Sequence, residues 1–416
     1  MSTQAKKPEI RFAGFKDEWA KKKFDDVFDM LSNNTLSRDA LNSEAGAAKN
    51  IHYGDVLTKF GEYIDVSIEK LPFISDPAIA TKFIRSHLKD GDIVITDTAE
   101  DETVGKCTEV ISVEEMPIIA GLHTMPCRPK EKYAPKYMGY YLNSHKYHNN
   151  LFPLMQGVKV TSISRTGVKE TEVILSTEFD EQEKIGKHLS SLDNMIALET
   201  AKYEKLVIVK KAMLEKMFPK EGCDVPEIRF TGFTEAWEQR KLGDVAEFNP
   251  KAELPDKFEY VDLESVVGTG MIAHREETKV TAPSRAQRLA KQGDLFYQTV
   301  RPYQRNNYLF DKPYDNYVFS TGYAQMRPLA DGYFLLSLVQ NDLFVKSVLD
   351  RCTGTSYPAI NSNDLANMII YVPSKNDEQN KIGAFIKRLD DAIVLHQRKL
   401  EKLKNIKSAC MEKMFV

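Results

Sequence analysis

The sequence lacks the features of secreted, disulfide-linked and membrane-spanning proteins. Its 416 residues include five cysteines, an odd number with no CxxC pair. This argues against a disulfide framework or a zinc site and predicts a reducing compartment. The start, MSTQAKKPEI, has no apolar signal-peptide core, and no apolar run approaches the roughly 18 residues that a membrane span needs. We therefore expect a cytoplasmic protein without membrane contact. The cysteines are Cys107, Cys127, Cys223, Cys352 and Cys410.

Neither sign of charge dominates. A net charge of -3 with 42% hydrophobic and 28% charged residues is typical of a soluble globular protein. The length exceeds one ordinary core, so we expect two or three domains. The charge neither indicates nor excludes a nucleic-acid partner, because a sum over the whole chain hides local clusters.

Motifs of common enzyme classes are also missing. Residues 105–107 (GKC) have neither the leading glycine nor the hydroxyl residue of a P-loop, 268–270 form a lone GxG, and no GxSxG or HExxH occurs. Residues 249–252 (NPKA) lack the second proline and the aromatic residue of the amino-methyltransferase motif. His145 and His148 have a metal-binding spacing, but no carboxylate or cysteine ligand is in register. These absences predict a binding protein with no catalytic residues, no metal site and no cofactor.

The chain does contain a long repeat. Residues 181–218 read EQEKIGKHLSSLDNMIALETAKYEKLVIVKKAMLEKMF, and residues 378–415 read EQNKIGAFIKRLDDAIVLHQRKLEKLKNIKSACMEKMF. Apolar residues in both copies alternate at the spacing of a coiled-coil seam. Polar residues interrupt both seams at the same places, which indicates two helices that pair with each other. The residues predicted to pair are Ile185, Leu189, Leu192, Ile196 and Leu206 in the first copy and Ile382, Ile386, Leu389, Ile393 and Leu403 in the second.

A second repeat begins each half of the chain. PEIRFAGFKDEWAKKKFDDV at residues 8–27 returns as PEIRFTGFTEAWEQRKLGDV at 226–245, after a short linker with a proline at each end. The predicted fold is mixed α/β, with two globular domains separated by two long helices and an internal pseudo-twofold repeat. The predicted boundaries are 1–178 for the first domain with its capping segment, 179–219 for the central helix, 220–375 for the second domain and 376–416 for the distal helix.

The two domains share landmarks but little sequence. KDGDIVI at residues 89–95 and KQGDLFY at 291–297 each predict a turn followed by a buried strand. Residues 137–154 and 333–349 are helix-like, each leading to a glycine. A loop, a short helix and a strand are predicted to follow that glycine in both halves. A shared frame with different loop residues predicts two readers of different targets.

The tandem of PEIRF-x-GF-x(3)-W segments, two variable domains and two EQ-x-KIG…LD…EKL…EKMF helices resembles the specificity subunit of type I restriction-modification systems. The resemblance covers nearly the whole chain and includes HYGDV at residues 52–56 and the tract around Gly157 and Ile163. It implies that each domain binds one half of a split double-stranded DNA site and that the helices pack as an antiparallel coiled coil. It also implies that two modification subunits and, through them, restriction-translocation subunits perform the catalysis. Those partners would use S-adenosylmethionine, ATP and Mg²⁺.

The helix length suits a spacer. A helix of ~38 residues is about 57 Å long, and two readers on one face of B-DNA engage half-sites about 34 Å apart. Antiparallel pairing places Lys210 near Asp390 and Lys407 near Asp193. We hypothesise two equivalent ion pairs that fix the register, with solvated lysines at frayed seam positions as the alternative.

The richest candidate for base readout is FYQTVRPYQRNNY at residues 296–308 of the second domain. Arginine forks suit guanine O6 and N7, amides suit adenine N6 and N7, and tyrosines pack on sugar or base. An ordinary polar loop is the alternative. Arg285, Arg288 and Lys291 are expected to contact phosphate. The reading candidates are Arg301, Tyr303, Gln304, Arg305, Asn306, Asn307 and Tyr308 in this loop, with Ser356 and Tyr357 after Gly354.

The corresponding loop of the first domain, residues 96–106, is acidic. Acidic residues are poor partners for phosphate, although a carboxylate can accept from cytosine N4. Residues just past Gly157 are better suited to a backbone or base contact. The candidates in the first domain are Thr96, Thr98, Lys106, Lys159, Thr161, Ser162 and Arg165.

Two other classes of protein stay open on sequence alone. One is an enzyme with an unrecognised motif, either a fused restriction-methylation protein or a stand-alone nuclease. The other is a coiled-coil scaffold without DNA contact. For a partner surface we favour outward helix residues shared by both copies, because two identical partners need a patch that is present twice; generic helix charge is the alternative. These residues are Lys202, Glu204, Lys205, Lys399, Glu401 and Lys402.

Overall fold

The computed structural model describes residues 7–157, 159–354 and 357–416, and the chain divides into two units. Unit 1 contains the residues up to Glu199 together with Lys399–Val416, and unit 2 is Thr200–Arg398. Each unit therefore combines one mixed α/β domain with segments of both long helices. Within the described residues, no helix has the length and apolar character that a bilayer crossing requires.

Unit 1 is built from short strands and helices. Its strands are β1 (Ala20–Lys23), β2 (Phe28–Met30), β3 (Ala48–Ile51), β4 (Tyr63–Asp65), β5 (Phe73–Ile74), β6 (Ile93–Thr96), β7 (Thr98–Ala99), β8 (Cys107–Ile111), β9 (Ile118–Ala120), β10 (Thr124–Pro129), β11 (Thr161–Ser162) and β12 (Glu172–Leu175). Its helices are α1 (Phe24–Val27), α2 (Tyr53–Thr58), α3 (Pro77–Lys82), α4 (Tyr137–Leu142), α5 (His145–His148), α6 (Arg165–Lys169) and the first part of α7 (Phe179–Lys216).

A five-stranded sheet in the order β2-β10-β6-β8-β4 forms the centre of unit 1. Beside it lies a three-stranded sheet, β5-β3-β9, in which β3 and β9 are parallel. All four residues of β6 are buried, as expected for a strand covered on both faces. The turn before β6 has Gly91 at φ +86°, and the backbone N–H of Lys89 donates to the Asp92 carboxylate at 2.8 Å. The predicted turn and buried strand are therefore confirmed.

Unit 2 repeats this plan with its own strands and helices. The strands are β13 (Glu238–Lys241), β14 (Ala246–Phe248), β15 (Lys257–Val261), β16 (Val266–Val267), β17 (Gly270–Met271), β18 (Arg275–Thr278), β19 (Ala286–Leu289), β20 (Leu295–Gln298), β21 (Tyr308–Leu309), β22 (Tyr317–Ser320), β23 (Tyr323–Pro328) and β24 (Ile369–Val372). The helices are α8 (Gly332–Gln340), α9 (Asp342–Leu349), α10 (Ser362–Ala366) and α11 (Asn376–Lys413), whose last part belongs to unit 1.

The sheets of unit 2 follow the same topology. The order β14-β23-β20-β21 matches β2-β10-β6-β8, and the parallel pair β15-β22 matches β3-β9. Strand β20 is buried along its length like β6. The short helix and strand predicted after each glycine are α6 with β12 and α10 with β24. The internal repeat predicted from the sequence is therefore a repeat of structure.

The helix-like segments at residues 137–154 and 333–349 are each divided into two α-helices, followed in unit 1 by a 3-10 helix at Phe152–Leu154, a detail that the sequence analysis missed. In unit 2 the division falls at Asn341, whose backbone is extended and whose side chain accepts from the N–H of Leu343 at 2.9 Å. In unit 1 the hydroxyl of Ser144 accepts from Tyr147 and begins α5. Asparagine and serine compete for backbone hydrogen bonds, so they favour such a cap over a helix interior.

In unit 1 the start of α7 runs antiparallel to the end of α11. Lys407 contacts Asp193 at 2.6 Å, and Lys399 contacts Glu199 at 2.7 Å, so the numbering rises along one helix as it falls along the other. Apolar residues of both segments pack into the same core. Those predicted to pair are Ile185, Leu189, Leu192 and Leu403, which are buried, and Ile196, which is half-buried.

In unit 2 the end of α7 runs antiparallel to the start of α11. Lys210 contacts Asp390 at 2.5 Å, while Met217 and Phe218 share a core with Ile382 and Ile386. Both ion contacts predicted from the sequence, Lys210 with Asp390 and Lys407 with Asp193, are thus confirmed. The other residues predicted to pair here, Leu206, Leu389 and Ile393, are half-buried.

The two repeated motifs contact each other within each unit. In unit 1, Arg11 pairs with the fully buried carboxylate of Glu181, and the indole N–H of Trp19 donates to it at 3.0 Å. In unit 2, Arg229 makes the same two-pronged pair with buried Glu378 at 2.6 and 2.8 Å. A buried carboxylate requires such a partner, which explains why the arginine of PEIRF and the glutamate of EQ-x-KIG repeat together.

Candidate nucleic-acid interface

In unit 2, the loop after β20 lies against the segment that follows Gly354. The N–H of Arg301 donates to Pro358 O at 2.7 Å, and the N–H of Ile360 donates to Thr299 O at 3.0 Å. We name residues 299–307 with 357–360 surface 2. The sequence analysis predicted these two segments as separate candidates, and the structure brings them together. The predicted residue Ser356 lies outside the described residues.

Unit 1 has the equivalent arrangement. Strand β7, which follows β6, pairs with β11, so that Thr161 lies opposite Ala99. The N–H of Ile163 donates to Asp97 O at 2.9 Å, which matches the bond from Ile360 to Thr299 in unit 2. We name residues 97–106 and 159–163, together with Tyr53 and His123 beside them, surface 1.

The exposed part of surface 2 is aromatic and basic. The guanidinium of Arg301 lies over the ring of Tyr357, with its carbon 4.4 Å from the ring centre. Tyr303 and Tyr357 are 49% and 63% exposed. Gln304 is also exposed, and its Oε1 accepts from Gln298 at 2.8 Å. Three exposed residues, Tyr303, Gln304 and Tyr357, and the half-buried Arg301 are therefore the predicted reading residues that surface 2 presents.

Two other residues of the loop are engaged by neighbouring protein groups. Arg305 pairs with Asp342 at 2.6 Å and donates to Gln340 O at 3.1 Å, so it lies at the junction of α8 and α9. The side-chain oxygen of Asn306 accepts from the N–H of Gly268 at 2.8 Å. Both side chains support the shape of the loop.

Asn307 and Tyr308 lie in the interior. Asn307 is buried and accepts from the N–H of Gln298 at 2.9 Å. The Tyr308 hydroxyl donates to Asp311 at 2.6 Å, and burial, together with that carboxylate, raises the pKa of Tyr308. These two hydrogen bonds hold the end of the loop against the interior of unit 2.

The three residues predicted to contact phosphate lie just before, within and just after β19. Arg285 is exposed, and its carbonyl accepts a hydrogen bond from the N–H of Thr321. The neighbouring Gly322 accepts from the N–H of Thr299, the first residue of surface 2. Arg288 is half-buried, and burial lowers its pKa. Lys291 is exposed but precedes β20, whereas surface 2 follows it. The backbone of Arg285 is thus linked to surface 2 through the turn at Thr321 and Gly322.

In unit 1, the structure separates buried candidates from exposed ones. Thr96 is buried and its hydroxyl donates to Lys106 O at 3.1 Å. Lys106 donates to Leu57 O at 2.9 Å, and burial lowers the pKa of this lysine. The half-buried Thr98 donates its hydroxyl proton to Asp97 at 2.8 Å.

The remaining candidates of unit 1 follow Gly157. Lys159 and Ser162 are exposed and Thr161 is half-buried. Arg165, at the start of α6, donates to Leu31 O and Asn33 Oδ1, both at 2.7 Å. Its guanidinium also donates to Thr124 O at 3.2 Å, so it makes three hydrogen bonds to protein oxygens.

Sequence reasoning missed two residues of surface 1. His123, in the turn between β9 and β10, lies 3.2 Å from the Asp97 carboxylate. Tyr53, at the start of α2, packs edge-on against the His123 ring at 5.3 Å between ring centres. Tyr53 belongs to the HYGDV motif, but only the fold brings it to His123, and His123 to Asp97. Among the described residues, no group of three or more histidine, cysteine, aspartate or glutamate side chains is arranged to hold a metal ion.

The two units share one topology, and each presents different side chains on the same pair of segments, the arrangement expected of a protein with two different binding surfaces. The sequence model of the type I restriction modification DNA specificity domain matches residues 16–207 and 234–405. The chain belongs to this family.

Related sequences agree. The chain is 29% identical to the type I restriction enzyme HindI specificity subunit of Haemophilus influenzae over 195 residues, which span 43% of this chain and 41% of that subunit. It is 23% identical to the putative type I restriction enzyme MjaX specificity subunit of Methanocaldococcus jannaschii, across 95% of this chain and 92% of that subunit.

Solved structures show the same fold. The S subunit of a type I restriction-modification system from M. genitalium superimposes with a TM-score of 0.59 at 15% identity, covering 99% of both chains. A chain from a structure on complex assembly and conformational transition of the type I R-M system gives a TM-score of 0.50 at 16% identity, covering 98% of this chain and 99% of that one.

Family membership confirms the predicted fold class and the prediction of a DNA target-recognition subunit. Specificity subunits are a non-catalytic family without a cofactor of their own, so the prediction that this chain is no enzyme is also confirmed. The fused-enzyme alternative receives no support.

Proposed function

We propose that each unit reads one half of a split double-stranded DNA target, unit 1 with surface 1 and unit 2 with surface 2. The observation that carries this proposal is the equivalent placement of the two surfaces on one topology, with unrelated side chains. A shared frame positions the loops, and the loop residues differ as two different half-sites require.

The chemistry of the surfaces suggests different base contacts. In surface 2, Arg301 and Gln304 offer hydrogen bonds to purine edges, Tyr303 and Tyr357 offer stacking area, and nearby Arg285 suits phosphate. In surface 1, a carboxylate, hydroxyls and an imidazole replace the arginine. The residues proposed to face DNA there are Asp97, Thr98, His123, Lys159, Thr161 and Ser162.

We propose the domain boundaries 1–178 and 220–375 for the two readers, with residues 179–219 and 376–416 as the spacer. Helices α7 and α11 have 38 residues each, or about 57 Å at 1.5 Å per residue. Their length is proposed to set the unread distance between the half-sites.

We further propose that two modification subunits bind the chain, one to each unit, and that restriction-translocation subunits join through them. A groove of about 400 Å³ in unit 1 lies between the helix pair and the junction of α4 and α5, and is lined by Lys407, Ser408 and Met411. The groove of about 660 Å³ in unit 2 lies at the junction of α8 and α9 and is lined by their repeat counterparts, Lys210, Lys211 and Leu214. A groove present once in each unit suits a partner present in two copies. These partners supply S-adenosylmethionine, ATP and Mg²⁺ chemistry.

The test is to map the methylated sequence in cells that carry this chain with its modification subunits. Replacing the exposed residues of surface 2 with alanine is expected to relax one half-site and leave the other unchanged, and the same change in surface 1 should affect the opposite half. Alanine at Lys387, an exposed lysine of α11 paired with Asp391, is the control. If changes in the two surfaces altered the same half-site, or neither, the proposed division of labour would be wrong.

A further inference from the structure

We propose that Tyr357 is a positioning residue that holds Arg301 for bidentate recognition of a guanine in the half-site of unit 2. This inference rests on the proposed function and adds the base, the reading group and the residue that orients it. It follows from the backbone of Arg301, the environment of its guanidinium and a comparison with unit 1.

The backbone of Arg301 is held in a conformation that a non-glycine residue rarely adopts. Its φ is +56°, in the left-handed region, and such residues concentrate at ligand-binding sites because the surrounding structure must enforce them. The N–H of Arg301 donates to Pro358 O at 2.7 Å, and its carbonyl accepts from the N–H of Gln304 at 3.0 Å. These bonds on both sides fix the direction in which the side chain leaves the loop.

In the described part of the chain, the guanidinium of Arg301 lies over an aromatic ring and not against a carboxylate. It lies 4.4 Å above the Tyr357 ring, and in the part of the chain that the structure describes no carboxylate pairs with it. Arg305 and Arg327, by contrast, pair with Asp342 and Asp294. Stacking uses the flat face of the guanidinium and leaves the N–H groups along its edge free to donate.

Those edge donors match guanine. Guanine presents two neighbouring acceptors, O6 and N7, in the major groove, and the arginine fork binds both at once. Adenine presents an N7 acceptor beside an N6 donor, which opposes the fork. An arginine held edge-outward therefore favours a G·C pair over the other three pairs.

Unit 1 lacks this pair. The matching bonds from Ile163 to Asp97 and from Ile360 to Thr299 align the two surfaces. Counting from these bonds places Ala99 at the position of Arg301 and Val160 at that of Tyr357. Neither residue can stack or donate as the pair does, so the proposed guanine contact is specific to unit 2.

The experiment uses the complex with its modification subunits and measures methylation rates on the mapped target and on targets with each base pair of the unit 2 half-site replaced. Arg301→Ala is expected to reduce discrimination at a single G·C pair by about tenfold or more. Tyr357→Ala should reduce discrimination at the same pair by about two- to fivefold, and Tyr357→Phe should retain it because the ring face remains. Added to Arg301→Ala, Tyr357→Ala should have no further effect.

Two controls separate positioning from a general loss of folding. Tyr314→Ala removes a tyrosine that is 58% exposed and lies outside surface 2, and the unit 1 half-site is read in the same reactions. Tyr357→Leu keeps an apolar side chain without a ring and should behave like the alanine variant.

Several outcomes would overturn the inference. Tyr357→Ala could slow methylation of all targets equally, its effect could add to that of Arg301→Ala, or the affected pair could be A·T. If Arg301→Ala changed no base preference while other surface 2 variants relaxed the half-site, the pair would be wrong and the proposed function would stand. If no surface 2 variant relaxed any position of that half-site, the proposed function itself would fail.

Discussion

Lys407 offers a direct test of what aligns the helix segments of unit 1. Its ammonium contacts Glu62 at 2.8 Å and Asp193 at 2.6 Å, and its side chain is 19% exposed. Burial alone would lower the pKa of Lys407, but the two carboxylates outweigh burial and raise it. Folding therefore favours the charged form of Lys407 over the neutral form more strongly than water does.

Lys407→Met keeps most of the apolar stem and leaves the two carboxylates without the ammonium that both contact. Removing one partner of a fully buried pair costs about 3–5 kcal/mol, and breaking an exposed pair costs about 0–1 kcal/mol. For this partly buried cluster we expect the free energy of unfolding of unit 1 to fall by about 2–3 kcal/mol. The matched control is Lys387→Met on the same helix, whose partner Asp391 is 64% exposed. It should cost less than about 0.5 kcal/mol.

Tryptophan fluorescence during urea unfolding reports on unit 1 separately. The chain has two tryptophans, Trp19 in unit 1 and Trp237 in unit 2, so Trp237→Phe leaves one reporter close to the end of α11. Adding Asp193→Asn to Lys407→Met should restore part of the lost stability, because it removes an uncompensated charge.

The ion-pair account would fail if Lys407→Met cost no more than Lys387→Met, or if Asp193→Asn restored nothing. The pH dependence gives a further check. Because folding raises the pKa of Lys407 above 10.5, its contribution should be complete below pH 10.5 and be lost as the pH rises through the folded-state pKa.

Three further predictions concern unit 1. Burial raises the pKa of Glu109 from 4.5 to about 7, against hydrogen bonds from Gly139 and Lys136. The free energy of unfolding should therefore fall by up to about 3 kcal/mol as the pH rises from 4.5 to 7. Glu109→Gln should remove most of this pH dependence. Gly139→Ala would place a methyl group 2.0 Å from a backbone oxygen and should lower the free energy of unfolding, measured in urea, by at least about 1 kcal/mol. The control is Gly61→Ala, whose methyl group meets open space. Arg165→Ala removes three hydrogen bonds and should cost about 2 kcal/mol of stability while the mapped methylated sequence stays the same; a changed half-site would instead show that Arg165 reads DNA.

Local patterns and repeats predicted a large part of the fold. Heptad spacing located the helices, and the shared interruptions of the two seams predicted the contacts of Lys210 with Asp390 and Lys407 with Asp193. These inferences succeeded because a coiled coil is a one-dimensional pattern, in which position along the helix determines the face. The KDGD and KQGD turns were predictable for the same reason, since a turn depends on a few adjacent residues.

The recognition surfaces were less predictable because they depend on contacts between distant residues. Nothing in the local sequence near Arg301 indicates that its backbone bonds to Pro358, or that Asn307 points into the core while Tyr303 points out. His123 escaped notice because a lone histidine after a strand has no motif, and Asp97 reaches it only after β6 and β10 pair. Residue type made the loop a candidate, whereas the direction of each side chain required the tertiary structure.

The assignment of Lys399–Val416 to unit 1 has a consequence for synthesis of the chain. Phe415 packs against Trp19 and Tyr141, with ring centres 6.3 and 5.7 Å apart, so the core of the first domain is completed by residues translated almost four hundred positions later. Domains normally fold in the order in which they leave the ribosome. Here the core of unit 1 is completed only when the end of α11 has been made, and a premature stop before Lys399 would remove that part of the core from a domain whose loops had already been synthesised.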